Sequence, residues 1–137
     1  MSCKSALYTV GGGTTVNVGG VIPLGAIIRR FGRNINLSGD GIMIAGDGYY
    51  DVVASITLAP TVAGEVTVSL YEDGVPLIGA GASDTVATAG DLVNLNVVGM
   101  ARLRCCDDVS SLTLVLTGED TITSADIVNI AVKVEKI

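Results

Sequence analysis

The sequence predicts an all-β protein, with residues 1–137 forming one antiparallel jelly-roll sandwich of about nine to ten short strands. Runs with an apolar residue at every second position recur along the chain, and turns rich in Gly and Asp separate them. No stretch shows the spacing of an amphipathic helix. Aromatic residues make up 4% of the chain and Trp is absent, so Val, Ile, Leu and Ala, which suit pleated sheets, must fill the core.

The strand predicted at residues 48–60 organises the rest of the sandwich. Alternation gives this strand an apolar face formed by Tyr50, Val52, Ala54, Ile56 and Leu58. Its opposite face is mixed and carries Tyr49, Asp51, Val53, Ser55 and Thr57. The mixed face is too apolar for plain exposure to water and too polar for a core. We therefore expect it to meet another copy of the chain.

Residues 1–47 carry weaker strand signals than residues 48–137, which form the core strands of the domain. Pro23 and Gly25 interrupt an apolar run, which places that run at a sheet edge or in irregular backbone. The segments predicted here are strands at 5–10, 14–18 and 42–45, the interrupted run at 21–28 and a turn at 36–41.

Two Gly-Asp-Gly triplets, at residues 39–41 and 46–48, predict hairpin turns, because Asp-Gly is the strongest short hairpin signal. A calcium loop is the alternative. It is disfavoured because a strand separates the two aspartates, whereas a calcium loop alternates its ligands within about a dozen residues and ends in Glu.

Residues 61–137 repeat the pattern of alternating strand and polar turn more strongly. Gly79 and Gly81 mark a bulge or a close backbone contact, and Gly99 is expected to end a strand. In the last strand, Val128, Ile130, Val132 and Val134 are predicted to share one face. The strands predicted in this part are 65–72, 75–86, 92–98, 112–117 and 128–135.

The composition indicates buried contacts between subunits. The chain is 49% hydrophobic with a mean hydropathy of +0.60, more apolar than one small sandwich core requires. A net charge of −6 argues against binding to nucleic acid or to an anionic membrane. No apolar run is long enough to span a membrane. The N-terminus lacks a secretory signal pattern, so we expect synthesis in a bacterial cytoplasm.

The residues needed for most catalytic and metal sites are missing. The chain has no His, which excludes Ser-His-Asp and Cys-His arrangements, and we predict no enzyme, no metal and no cofactor. The acid pairs at 72–73, 107–108 and 119–120 are interpreted as solvated turn residues. Cys3, Cys105 and Cys106 are expected to be free thiols; alternatively, a three-fold assembly brings one Cys from each chain together on an axis.

A basic cluster is the best candidate for a docking site. Arg29, Arg30 and Arg33 place three of the eight basic residues around Phe31, the only Phe. Arginine binds carboxylates bidentately, and an aromatic anchor beside it is common at protein interfaces. The alternative is that these arginines neutralise acids across a subunit interface or keep an irregular loop hydrated.

Five segments between residues 42 and 137 carry a family pattern: GYYDVVASITLAP, GEVTVSLYEDGVPLIGA, GDLVNLNVVGMARL, SLTLVLTG and IVNIAVKVEKI. Their order resembles that of the trimeric jelly rolls of the tumour-necrosis-factor and complement-globular-head type. It is most similar to bacterial and phage members, such as terminal domains of collagen-like exosporium glycoproteins and small phage decoration or head-fibre proteins. No Gly-X-Y repeat precedes these segments, a departure from stalked members. The resemblance implies that the first and last strands are neighbours of each other beside the central strand, with mixed faces lining a three-fold interface.

The role implied by the resemblance is that of a structural virion protein: a homotrimer on the virion surface that decorates or cements a bacteriophage capsid, or forms a head fibre. The partners would be the chain itself and the phage major capsid protein, docked through Arg29, Arg30, Phe31 and Arg33. The residues expected in the trimer interface are Tyr8, Tyr49, Val53, Asn94, Asn96 and Ala131. The alternatives are a receptor- or glycan-binding tip domain of a phage fibre or spore-surface protein, and a secreted signalling-type trimer.

Overall fold

The computed structural model describes residues 4–104 and 109–137, which form two antiparallel β-sheets packed face to face. The described residues contain no helix, and the all-β prediction is confirmed. The strands are β1 (Ala6–Gly11), β2 (Thr14–Asn17), β3 (Ala26–Phe31), β4 (Ile35–Ser38), β5 (Gly41–Ala45), β6 (Gly48–Pro60), β7 (Gly64–Glu72), β8 (Val75–Val86), β9 (Val93–Leu103), β10 (Val109–Gly118) and β11 (Ser124–Lys136).

The chain passes repeatedly between the two sheets, as in a jelly roll. The first sheet has the order β3-β1-β11-β6-β9, with β2 also paired to β11, and the second has the order β4-β5-β10-β7-β8. The first and last strands, β1 and β11, are neighbours, and β11 pairs with the central strand β6. This is the arrangement that the family resemblance implied.

The core lies between the sheets, and β6 supplies its central row. All five side chains of the predicted apolar face are at most 1% exposed, which confirms that face; they are Tyr50, Val52, Ala54, Ile56 and Leu58. Val68 and Leu70 of β7 and Leu114 and Leu116 of β10 close the core from the second sheet. Burying each large aliphatic side chain contributes about 1.5 to 3 kcal/mol to folding.

Two strands, β3 and β4, lie where the sequence predicted irregular backbone or a turn. All six residues of β3 are exposed, so alternation of burial does not mark this strand, and backbone pairing with β1 defines it. The strand β4 pairs with β5 at residues expected to form a turn. These two strands raise the count to eleven in the described residues, above the nine to ten expected. The position of β3 at a sheet edge agrees with the prediction.

Only the first of the two Asp-Gly turns is a hairpin. The turn at residues 39–40 joins β4 to β5, which pair with each other in the second sheet. The turn at residues 46–47 joins β5 of the second sheet to β6 of the first, so the prediction of a second hairpin is wrong. A local turn signal specifies a reversal of the chain but not the sheet that the next strand joins.

Gly99 lies inside β9 and does not end a strand, contrary to the prediction. A Cβ atom at this position would lie 2.9 Å from the Cβ of Ala80 and 3.0 Å from Cδ2 of Leu70. Glycine therefore lets β8 pack closely on β9. Gly79, in contrast, has a φ of 78° beside a register shift of the β7–β8 pair, which confirms the predicted bulge.

The last strand also departs from its predicted pattern at one residue. Val128 is 52% exposed and lies at a register shift between Ile127 and Asn129, whereas Ile130, Val132 and Val134 are buried as expected. A bulge places one extra residue in a strand, so alternation inferred from the sequence changes phase there.

Tyr50 is a buried phenol whose hydroxyl is bonded to the connection between the sheets. The hydroxyl shares its one hydrogen between the carbonyl oxygens of Ala45, at 2.6 Å, and Gly46, at 2.7 Å. Burial raises the pKa of the Tyr50 phenol, and the nearby negative charge of Asp47 adds to the rise. The neutral tyrosine thus anchors the β5–β6 connection to the core.

Alkaline pH is expected to weaken the fold through Tyr50. The phenol titrates near about pH 10 in the unfolded chain and higher in the folded chain. Its contribution to the free energy of unfolding is therefore complete below about pH 10 and is lost as the pH rises through the folded pKa. Tyr50→Phe should cost about 1 to 2 kcal/mol at neutral pH. Denaturant titrations should show the gap between the two proteins narrowing above about pH 10; a gap that stays constant would contradict this account.

Thr9 is a buried residue whose hydroxyl has no hydrogen-bond partner among residues 4–104 and 109–137. An unpaired buried hydroxyl costs about 1 to 3 kcal/mol, and Val has nearly the same shape. We expect Thr9→Val to raise the free energy of unfolding by about 1 kcal/mol. Thr113→Val, at a half-buried position of β10, controls for the general preference of strands for Val and should change stability by less than about 0.5 kcal/mol. Equal increases in the free energy of unfolding at both positions would contradict the attribution of the gain to the unpaired Thr9 hydroxyl.

Candidate functional site on the outer face of the first sheet

The outer face of the first sheet, the side that points away from the core, carries several exposed apolar side chains. Five of them are more than a third exposed: Tyr8, Tyr49, Val53, Val98 and Met100. They belong to β1, β6 and β9, whose alternate residues lie in the core. Burying such side chains against another surface would be favourable by about 25 cal/mol per Å² of apolar area.

A row of cross-strand neighbours crosses this outer face from β1 to β9; it is called the apolar row here because Lys133 is its one charged member. Tyr8 is opposite Lys133 in the register of β1 and β11, and Lys133 is opposite Val53 in the register of β11 and β6. Val53 is in turn opposite Val98 of β9. Cross-strand neighbours lie about 5 Å apart, so Val53 and Val98 form one continuous apolar patch.

Two more polar rows run parallel to the apolar row. In the first, Ala131 is opposite Ser55, which is opposite Asn96. In the second, Asn94 is opposite Thr57, and its Nδ2 donates a hydrogen bond to the Thr57 Oγ1 at 3.1 Å. These polar rows combine small and amide side chains, a composition that can pack closely and still exchange hydrogen bonds with a second surface.

Tyr49 lies toward one end of the same face, opposite Arg102. The guanidinium carbon of Arg102 is 5.3 Å from the centre of the Tyr49 ring, a cation–π contact. All six residues predicted for the trimer interface therefore share the outer face of the first sheet. Their contact with another copy of the chain stays a prediction.

Sequence reasoning placed Asn94 and Asn96 of β9 on this face but missed three further residues of the same strand. Val98 is 59% exposed and Met100 is 54% exposed, and Arg102 is also exposed. The signal was present, because alternation continues from Val93 to Leu103. The interpretation of Gly99 as a strand end concealed the part of this pattern that follows it, at Met100 and Arg102.

The predicted docking residues divide between a strand and the turn that follows it. Arg29, Arg30 and Phe31 belong to β3, whereas Arg33 lies in the turn at residues 32–34. All four side chains are exposed, and Phe31 is 60% exposed. The residues that sequence reasoning placed in an irregular loop thus stand mostly on a regular edge strand.

The pairing register with β1 places the two arginines of β3 on opposite faces of the sheet. Arg29 is opposite Tyr8, which belongs to the outer face. Arg30 is opposite Leu7, which is buried, and its Nε donates to the carbonyl oxygen of Ile35 at 3.2 Å. The backbone contact of Arg30 holds its guanidinium beside the sheet edge.

A shallow concavity of about 190 Å³ joins the two predicted groups. Arg29, Arg30 and Phe31 line it from β3, and Tyr8 and Lys133 line it from β1 and β11. Within residues 4–104 and 109–137, none of the three cations forms an ion pair. The concavity therefore combines an aromatic surface with positive charge on a protein whose net charge is −6.

Three further observations concern the metal, membrane and cysteine hypotheses that the sequence raised. In the described part of the chain, no three His, Cys, Asp or Glu side chains are grouped closely enough to hold a metal ion. No helix there is long and apolar enough to cross a membrane. Cys3, Cys105, Cys106 and the acid pair 107–108 lie outside the described residues.

The fold matches known structures, although no protein-family model and no curated protein sequence matches the chain. The globular domain of zebrafish complement 1qA protein superposes with a TM-score of 0.69 at 10% identity, covering 98% of this chain and 96% of that one. Murine APRIL at pH 5.0 gives a TM-score of 0.66 at 13% identity, covering 98% and 99%. This protein has the tumour-necrosis-factor-like jelly-roll fold. The PRD1 vertex protein P5 also matches it, with a TM-score of 0.60 at 15% identity and coverage of 100% and 99%.

Proposed function

We propose that this chain is a structural virion protein, a homotrimer that sits on the surface of a bacteriophage capsid as a decoration or cement protein or as a head-fibre knob. The observation that carries the proposal is the apolar outer face of the first sheet, which is exposed in a single chain. The whole of residues 1–137 acts as one domain in this proposal.

Self-association follows from the chemistry of that face. The patch formed by Val53, Val98 and Met100 has the composition of an interface core. The polar rows beside it, which contain Asn94 and Asn96, supply hydrogen-bonding groups at the rim. An exposed apolar patch of this kind marks an interaction site in a soluble protein. A cyclic trimer closes such contacts without leaving a face free for further growth.

The location on a virion is supported by the likeness to the PRD1 vertex protein, whose fold covers the whole chain. The acidic net charge and the basic cluster at β3 add a second argument. A chain with an overall charge of −6 that gathers Arg29, Arg30 and Arg33 near one edge presents a localised positive surface, which suits docking to an acidic protein partner. In this proposal the partner is the major capsid protein.

Two measurements on the purified full chain test the proposal. Light scattering should give a mass about three times 13.9 kDa, and the mass should not change with reductant. The chain should also co-sediment with shells assembled from the major capsid protein encoded in the same genome. A protein that stays monomeric at micromolar concentration would refute the proposed trimer. A trimer that does not co-sediment with those shells would refute the proposed docking to the capsid.

A further inference from the structure

The strand β3 leaves one of its two backbone edges free. It pairs with β1 along one side, and no strand within residues 4–104 and 109–137 pairs along the other. All six residues of β3 are exposed, so neither face of the strand is covered. An edge of this kind presents unpaired N–H and C=O groups, a template on which a further strand can add.

The side chains of β3 combine apolar surface with positive charge. Ile27, Ile28 and Phe31 are 42%, 46% and 60% exposed, and Arg29 and Arg30 lie between them. This is more apolar surface than a strand in contact with water alone requires. It lies next to the concavity of about 190 Å³ described above.

The charges around the concavity are unbalanced. Arg29, Arg30 and Lys133 line it, and none of them is in an ion pair within the part of the chain that the structure describes. Glu135, opposite Ala6 in the neighbouring row, forms no ion pair with them either. Carboxylates from outside the chain would meet two guanidinium groups able to bind them bidentately.

We infer that β3 is a docking strand that pairs with an acidic extended segment of a partner protein. The free edge would supply main-chain hydrogen bonds, and the part of the concavity beside Phe31 would accept an apolar side chain of the segment. Arg29 and Arg30 would bind carboxylates on two neighbouring positions of the segment, because adjacent residues of a strand point to opposite faces. The segment needs about six residues to cover the strand.

Charge also argues against a second copy of β3 as the occupant. Pairing two identical β3 edges would bring Arg29 and Arg30 of each chain next to each other. Like charges opposite one another in a sheet are destabilising, so these arginines disfavour pairing between copies and select an acidic partner. The inference rests on the proposed function, in which the partner is the capsid, and adds the chemistry of the segment that docks.

The test is a titration of the full chain, labelled with ¹⁵N, with a peptide of about seven residues in which two Glu-Glu pairs are separated and flanked by Val, so that each face of the strand carries carboxylates. Two matched peptides are compared: one with Lys in place of Glu, and one with a central Pro that removes a backbone donor. We expect saturable binding of the Glu peptide, amide shifts centred on residues 26–31, and affinities at least about tenfold lower for both comparison peptides.

Variants of the chain complete the test. The double variant Arg29→Glu, Arg30→Glu should lower the affinity for the Glu peptide at least about tenfold. Arg104→Glu is the matched charge control, because Arg104 is exposed and follows β9 at the edge of the first sheet opposite β3; it should lower the affinity less than about threefold. Circular dichroism and light scattering on each variant establish that the fold and the mass are unchanged.

Equal binding of the Glu and Lys peptides, or shifts that avoid β3, would overturn the inference. A double variant that loses its oligomeric mass would also overturn it, because β3 would then belong to a contact between copies. The two proposals fail separately. A monomeric chain that binds the Glu peptide through β3 refutes only the proposed trimer, and a trimer that binds capsid shells but not the peptide refutes only the docking strand.

Discussion

Val53→Asp is expected to convert the proposed trimer into a folded monomer, with the mass by light scattering falling from about three times 13.9 kDa to about 13.9 kDa. Val53 lies at the middle of the apolar row on the outer face and is 39% exposed in the single chain. An aspartate there remains in water in a monomer. In a trimer each of the three aspartates would be buried in the interface, and removing it and the opposite Lys133 from water costs several kcal/mol per ion even if the two pair.

Val62→Asp is the matched control for this experiment. Val62 is 37% exposed, nearly the same as Val53, but it lies in the connection between β6 and β7, away from the outer face. Val62→Asp should leave the mass by light scattering at that of the proposed trimer. If Val53→Asp stayed trimeric, or if both variants dissociated, the outer face would not be the interface. Circular dichroism of the Val53→Asp protein distinguishes a folded monomer from an unfolded chain.

Gly25→Ala is expected to destabilise the fold by about 3 kcal/mol or more. Gly25 has a φ of 83°, a conformation that costs an L-residue about 1 to 2 kcal/mol. A Cβ atom there would also lie 2.2 Å from the carbonyl oxygen of Val10 and 2.5 Å from the Cα of Gly11. Because these contacts are backbone atoms, relief requires moving the end of β1 away from the start of β3.

Gly39→Ala distinguishes the cost of the positive φ from the cost of the steric contact. Gly39 has a φ of 60°, but no atom lies within 4 Å of the position that its Cβ would occupy. Gly39→Ala should therefore lower the free energy of unfolding only by the conformational cost of about 1 to 2 kcal/mol. Denaturant unfolding at one protein concentration compares the variants, since the stability of an oligomer depends on concentration. Equal losses at the two glycines would show that the contact between β1 and β3 carries no energy.

The central strand shows how much the sequence could predict. Strict alternation from Tyr49 to Leu58 distinguished the buried face from the exposed one, and the structure confirms the buried face. The same reasoning worked for Tyr8, because the residues flanking it in β1, Leu7 and Thr9, are buried. Alternation is a local property, since successive side chains of any strand point to opposite sides.

The basic strand shows where that reasoning stops. The run from Ala26 to Phe31 has no buried face, and its strand character comes from pairing with β1 through backbone groups that every non-proline residue carries. Side-chain patterns do not reveal such a strand. Gly99 is the reverse case: a residue interpreted as a break lies within β9, because Ala80 and Leu70 from the second sheet need the space.

The sequence by itself determined the class of the fold and the two-sided character of its strands, because both depend on the spacing of apolar residues along the chain. Only the tertiary structure decided which strands are neighbours. It placed Tyr8, Lys133, Val53 and Val98 in one row and brought the arginines of β3 beside that row. The physical reason is that strand pairing joins residues far apart in the chain through backbone hydrogen bonds, whose partners the local pattern does not specify.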